Sequence, residues 1–236
     1  RSGTTLLRYI LEAHPNIACG PETVNLIPET RKCVENLLDN KIFRETLGSF
    51  QLSEEDIYKI YAHDTLSAFF DKYTASQDKP RLATKTPTNC LHFEFLARLF
   101  PDAYFIHVIR DGRDCVVSLD KVHWFGNTLS DAGAFDLAVK RWARWTQAGR
   151  TQGSRLAGHY IEIRYENLVS RPEEEIGRIL EFVGEPWDDR VMKHNEVKHA
   201  HEASVDNRNK DGASQKIDSG RFNAWKREMS SRQIHR

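Results

Sequence analysis

Long apolar runs are absent from this 236-residue chain. None approaches the roughly 18 residues that a membrane helix requires, which excludes a helical span within these residues. Net charge is absent as well: Lys plus Arg number 34 and Asp plus Glu number 34, a formal total of +0. A neutral total provides no global field for non-specific nucleic-acid binding and leaves only a local basic site open. Paired cysteines are missing too, since Cys19, Cys33, Cys90 and Cys115 include no CxxC. That excludes a zinc ribbon or a CxxC redox motif. A chain of this length does not depend on a disulfide framework, so reduced thiols are expected, with two disulfides as the alternative. No GxxxxGK[ST] occurs, and residues 1–236 show no signal-peptide pattern.

What is present suits a folded protein. Hydrophobic residues make up 39% and charged residues 29%, unlike a chain that stays disordered. The length fits one large domain with a sizeable core. Leu6, Leu7, Ile10 and Leu11 predict a helix over 5–13, ended by His14-Pro15. Helices are also predicted over 31–47, 54–73, 89–100, 113–121, 135–152 and 171–183, with a short one over 222–229. Ser53-Glu-Glu-Asp56 suits a helix N-terminus. Strands are predicted over 17–19, 81–84, 104–109 and 159–165. The run Tyr104-Phe-Ile-His-Val-Ile109 is apolar enough for a buried parallel strand. Strands alternating with helices predict an α/β fold, a parallel sheet flanked by helices. Residues 193–220 read as polar and irregular.

Two stretches are suited to holding anions. Arg1-Ser2-Gly3-Thr4-Thr5 leads directly into the first helix. Gly3 permits a tight turn, backbone N–H groups and the helix N-terminus favour an anion, Thr4 and Thr5 add hydroxyls, and Arg1 adds charge. An ordinary Ser/Thr cap is the alternative. The second stretch is Arg110-Asp-Gly-Arg-Asp114, at the carboxyl end of the best predicted strand, where ligands bind in open α/β sheets. Arg110 and Ser118 together make a phosphate grip. Arg113 and Asp114 are read as a structural ion pair or cap.

Taken together, these residues resemble the PAPS-dependent sulfotransferase family, closest to its tyrosylprotein sulfotransferase branch and related bacterial enzymes. Arg1-Ser-Gly-Thr-Thr-Leu-Leu7 resembles the 5′-phosphosulfate motif, and Val108-Ile-Arg-Asp-Gly-Arg-Asp-Cys-Val-Val-Ser-Leu119 resembles the 3′-phosphate motif. Glu12 to Thr23, Lys85-Thr-Pro87, Leu99-Phe-Pro101 and Tyr165-Glu-Asn-Leu168 extend the likeness, which thins over 25–80 and after 185. The resemblance implies a P-loop-like sulfotransferase fold. It also implies an enzyme that moves a sulfuryl group from 3′-phosphoadenosine-5′-phosphosulfate (PAPS) to an acceptor hydroxyl, leaving adenosine 3′,5′-bisphosphate. By the same likeness, Arg1, Ser2, Gly3, Thr4 and Thr5 cradle the 5′-phosphosulfate and Arg110 and Ser118 bind the 3′-phosphate. Tyr165 contacts the donor, Glu22 is the catalytic base and Lys85 meets the leaving phosphate. Lys216, in Ser214-Gln-Lys-Ile-Asp-Ser-Gly220, is a further candidate phosphate contact, and Gly212 and Gly220 would let that segment move as a lid, with a plain surface loop as the alternative. No metal is expected, because cationic side chains and amides can supply the field.

The pattern also departs from the family. Where tyrosylprotein sulfotransferases carry arginines just after the glutamate, this chain has Val24 and Glu29, a poor surface for an acidic peptide. Ala83 and Thr84 stand where a cysteine usually precedes the lysine, so Cys19 lacks that partner. Small-molecule, glycan or lipid acceptors are therefore expected, with peptidyl tyrosine as the alternative. A kinase-like protein would need a Walker lysine, and a non-enzymatic nucleotide-binding adaptor would be expected to have lost Glu22 or Lys85. His194, His199 and His201 match no metal signature and read as solvated or acceptor-lining. Trp142 and Trp145 read as core. Expected partners are the hydroxyl-bearing acceptor and a second copy as a homodimer, with no nucleic acid and no membrane span. The expected location is cytoplasmic, with the Golgi lumen as the alternative. Residue 1 falls partway through the donor motif, so residues 1–236 are expected to form a single domain truncated at its start.

Overall fold

The structure, a computed structural model, describes residues 2–197, 213–218, 220 and 222–235. Helix α1, Thr4–Ala13, buries Leu6, Leu7, Ile10 and Leu11. These are the apolar positions that the spacing marked for one face. Pro15 cannot continue the helix, and the His14 ring ties its end to the Pro186 carbonyl at 2.9 Å. Four short strands follow among the described residues: β1 Ile17–Cys19, β2 Arg81–Ala83, β3 Phe105–Ile109 and β4 Tyr160–Arg164. β1 runs parallel to β2, with Ile17 opposite Arg81 and Cys19 opposite Ala83. β3 runs parallel to β4 from Phe105–Tyr160 to Ile109–Arg164. The parallel sheet expected from the sequence is thus present as two strand pairs. A cleft of about 1500 Å³ is lined by β2 and β3 and by the loops that follow the strands.

Helices cover these strands. Leu6, Ile10 and Ile17 share a core with Val108 and Ile163 and with Leu168 of helix α9, Tyr165–Ser170. Ile176, Ile179 and Leu180 of α10, Pro172–Val183, complete it. Each such fully buried side chain contributes roughly 1.5–3 kcal/mol. A second core joins α2 Leu26–Asp39, α3 Lys41–Leu47, α4 Glu54–Tyr58, α5 Asp64–Gln77 and α6 Phe93–Leu99 through Ile27, Val34, Leu38, Ile57, Leu66 and Phe95. A third sits where α7, Gly112–Lys121, meets α8, Ala132–Gly153, and Met229.

Several predicted boundaries move for local reasons. The helix predicted over 31–47 begins earlier, at Leu26, because Pro28 is tolerated in a first turn. It then breaks at Asn40, whose side chain accepts from the Phe43 N–H and starts α3. Ser53 and Asp56 form a reciprocal capping box, and a wide turn over Lys59–His63 separates α4 from α5. The helix predicted over 89–100 is a tight turn over Pro87–Leu91 followed by α6, broken at His92. Tyr165, predicted to end a strand, starts α9 instead. Asp189–Glu196 coils into a tight helix that the sequence reading missed. The last predicted helix is two short ones, α11 Trp225–Glu228 and α12 Ser231–Ile234.

α8 lies close on the β3–β4 pair because two glycines face it. A Cβ at Gly149 would stand 2.5 Å from the His107 ring, and one at Gly153 would stand 2.2 Å from the Tyr160 ring. His107 Nδ1 and the Tyr160 hydroxyl lie 2.8 Å apart, and burial pushes the His107 imidazole down to about 4.

Two outcomes follow. Gly149→Ala and Gly153→Ala should each lower stability by about 1–3 kcal/mol through overpacking, read as a reduced midpoint in urea. A depressed histidine pKa means that the unfolded chain binds the proton first. Stability should therefore fall as pH drops from 6.5 towards 4, by an amount on the order of 3 kcal/mol attributable to His107. Urea titrations of His107→Gln at several pH values should show a flatter profile over that window.

Candidate active site

Each strand hands one predicted site residue to the cleft within three positions of its carboxyl end: Glu22 after β1, Lys85 after β2, Arg110 after β3 and Tyr165 after β4. This is the end of an α/β sheet where ligands collect. The first loop completes the group. Gly3 caps α1 with φ 90°, a left-handed conformation that glycine adopts without penalty. The position is doubly constrained, because a Cβ there would lie 2.2 Å from the Tyr165 ring. The same ring carries the Arg110 guanidinium, 4.4 Å from its centroid. Tyr165 and Arg110 are 5% and 9% exposed, so this contact is made away from bulk water. One aromatic ring therefore joins the two anion stretches that the sequence separates.

Other contacts hold the loops in register. Ser2 Oγ lies 3.8 Å from Cys115 Sγ on α7. The Trp142 indole donates to the Arg110 carbonyl at 3.0 Å, and the Asp111 N–H donates to Glu166 Oε1 at 2.9 Å. Asp111 caps α7 by accepting from the Arg113 N–H at 2.9 Å and also pairs with the Arg113 side chain. Lys85 forms an ion pair with Glu22 and donates to Thr5 Oγ1 at 3.4 Å. Its side chain is 12% exposed while that of Glu22 is 42% exposed, so the carboxylate is the more open of the two and the ammonium the more buried. Burial holds the Lys85 ammonium below its ordinary range, with Glu22 pulling the other way. Thr86 Oγ1 accepts from the Thr23 N–H at 3.0 Å, which braces the turn carrying Glu22 against the one carrying Lys85.

Ser2, Gly3, Thr4, Thr5, Glu22, Lys85, Arg110, Ser118, Tyr165 and Lys216 all line the same cleft. Arg1 lies outside the described residues, as do Gly212, His199 and His201. His194 differs from its sequence reading. It is fully buried, and Nε2 lies 3.0 Å from the Gln215 carbonyl, so it fastens the segment after residue 212 and does not face solvent. Trp142 also differs, since it supports Arg110 and lines the cleft as well as packing. Its place beside Gly112, where a Cβ would stand 2.8 Å from the indole, has no signal in local periodicity. Asp114 is 2% exposed and accepts from the backbone N–H groups of Asn223 and Trp225 at 2.8 and 3.2 Å. All four cysteines are free thiols, and burial pushes the Cys19 thiol up to about 12. No described helix is long and apolar enough to cross a membrane.

Solved structures share this architecture. The sulfotransferase domain from the Synechococcus PCC 7002 olefin synthase superposes with a TM-score of 0.64 at 20% identity, covering 98% of this chain and 85% of that one. The sulfotransferase domain from the curacin biosynthetic pathway gives 0.60 at 19% identity, covering 99% and 92%. At these identities the likeness establishes the fold. Sequence relatives are nearer. Protein-tyrosine sulfotransferase 1 of Danio rerio is 32% identical over 204 residues, 84% of this chain and 54% of that protein. The protein-tyrosine sulfotransferase of Drosophila melanogaster is 32% identical over 201 residues, 83% of this chain and 38% of that protein. The chain thus spans about half the length, or less, of these curated relatives. A model of the Sulfotransferase family matches residues 1–189. With that match and these identities, the chain belongs to the sulfotransferase family.

Proposed function

We propose that this chain transfers a sulfuryl group from PAPS to an acceptor hydroxyl. The observation that carries the reading is the contact of Tyr165 with both Gly3 and Arg110, which joins two anion-binding stretches beside the Glu22–Lys85 pair. A ligand with phosphates at both ends of a nucleoside suits that arrangement. Two features support this fit: the α1 N-terminus opens into the cleft behind a positive-φ glycine, and a buried arginine lies one side chain away.

In this reading, Ser2, Gly3, Thr4 and Thr5 hold the 5′-phosphosulfate, with Arg1 as a further candidate. Arg110 and Ser118 take the 3′-phosphate, with Lys216 beside them. PAPS, when bound, supplies the sulfuryl group and a phosphate that leaves with the electron pair of the broken S–O bond. Glu22 accepts the proton of the attacking hydroxyl at its exposed carboxylate. Lys85 and the α1 amides stabilise charge growing on the leaving oxygen. Lys85 is already placed for this by its bond to Thr5. Losing one such donor costs about 2.7–4 kcal/mol of barrier.

The acceptor side favours a neutral molecule. In this reading the acceptor meets Val24, Asn25, His63, Ser67, Phe70 and Asp71 of the cleft lining, two apolar and four polar side chains that include no arginine or lysine. A small alcohol or phenol, a glycan or a lipid suits this wall better than an acidic peptide. The names of the relatives favour a second reading, peptidyl tyrosine.

Glu22→Gln should lower turnover by about 10²–10⁴-fold while the dissociation constant for adenosine 3′,5′-bisphosphate, measured by calorimetry, stays nearly constant. Unchanged turnover would remove Glu22 from the role of base. Sulfate transfer from labelled PAPS should be faster to a neutral phenol than to an acidic tyrosine peptide at equal concentration. A preference for the acidic peptide would establish the second reading.

A further inference from the structure

One buried carboxylate beside the candidate site, Asp114, is not used by the chemistry above. Asp114 stands in the first turn of α7, on the face that also carries Ser118 one turn later. Its side chain is 1% exposed. An anion buried between two phosphate-binding residues would work against them unless its charge were committed elsewhere. It is committed in two directions. Oδ2 accepts from the Asn223 N–H at 2.8 Å and Oδ1 accepts from the Trp225 N–H at 3.2 Å. On the other side, Arg110 Nη2 lies 3.9 Å from Oδ2.

The C-terminal segment is thereby tied to the start of α7. The Arg113 guanidinium lies 3.5 Å from the centre of the Trp225 ring, Lys121 pairs with Glu228 at 2.8 Å, and Met229 packs with Val116 and Val117. Asn223 sits at φ 65°, a left-handed turn that suits asparagine and aims its N–H at the carboxylate. Asp114 also lies against Arg110, the proposed 3′-phosphate ligand.

We propose that Asp114 is a positioning residue. It orients Arg110 towards the 3′-phosphate and couples that site to the segment at Asn223–Trp225, so that donor binding and docking of this segment strengthen each other. This rests on the reading of Arg110 as the 3′-phosphate ligand. Coupling of this kind is reciprocal. A phosphate drawn to Arg110 fixes the guanidinium against Tyr165 and Asp114, and a fixed Asp114 is a better acceptor for the two amides. Conversely, docking of those amides draws the carboxylate's charge away from the phosphate.

The test compares adenosine 3′,5′-bisphosphate with adenosine 5′-monophosphate, which lacks the 3′-phosphate. Calorimetry is run on the full chain, on Asp114→Asn and on Trp225→Ala, with Arg110→Ala as the reference. Asp114→Asn should weaken bisphosphate binding about tenfold and leave monophosphate binding nearly unchanged. Trp225→Ala removes the Arg113 stack but no group of the phosphate site. It should weaken bisphosphate in the same direction, and it carries the test if Asp114→Asn folds poorly. Bisphosphate should also slow hydrogen exchange at the Asn223 and Trp225 amides in the unaltered chain, and fail to do so in Asp114→Asn. If both variants bind bisphosphate as the unaltered chain does, the proposal is wrong. It is equally wrong if they lose both nucleotides in equal measure, which would mark Asp114 as part of the general fold. If Arg110→Ala itself leaves bisphosphate binding intact, the donor-site reading fails first.

Discussion

A single aromatic ring sets the distance between the loop that opens α1 and the turn after β3. Tyr165 leaves no room for a side chain at residue 3 and supports the Arg110 guanidinium on its face. The first contact fixes where α1 begins, and the second fixes the charged group that follows β3. Both depend on parallel pairing of β3 with β4, because that pairing brings Ile109 opposite Arg164 and so puts Arg110 and Tyr165 at one level. The Glu22–Lys85 pair follows the same logic on β1 and β2. Chemistry is thus assembled at strand ends, where one-residue steps in register decide which groups meet.

Much of this was legible in the sequence. The alternation of strands and helices, the apolar face of α1 and the placing of Glu22, Lys85 and Arg110 just after strands came from periodicity and from the family likeness. Local rules failed where a competing local signal was stronger. The Asn40 cap split one helix, His92 broke another, and Tyr165 left its strand for a helix. Tertiary contacts were out of reach for a different reason. Nothing within a few residues of Trp142 shows that its indole holds the Arg110 carbonyl, and nothing near Asp114 shows that its partners lie at residues 223 and 225. His194 read as a polar surface residue because its neighbours are polar, yet its partner carbonyl lies after residue 212 and closes over it.

The neutral total charge conceals a charged cleft. Lys85, Arg110 and Lys216 line it, and so do Glu22 and Asp71. A low-dielectric wall strengthens both fields locally while they cancel at a distance. In the proposed reading, the cationic groups hold a doubly anionic donor. The buried Asp114 carboxylate, beside Arg110, depends on the amides of Asn223 and Trp225 to balance its charge.

The central claim is that the ring of Tyr165 joins a 5′-phosphosulfate loop to a 3′-phosphate site. A crystal structure with adenosine 3′,5′-bisphosphate tests it most directly. The account predicts the 3′-phosphate against Arg110 and Ser118 and the 5′-phosphate on the amides of residues 2–5. A nucleotide bound in the opposite sense, or a 3′-phosphate held away from Arg110, would contradict it.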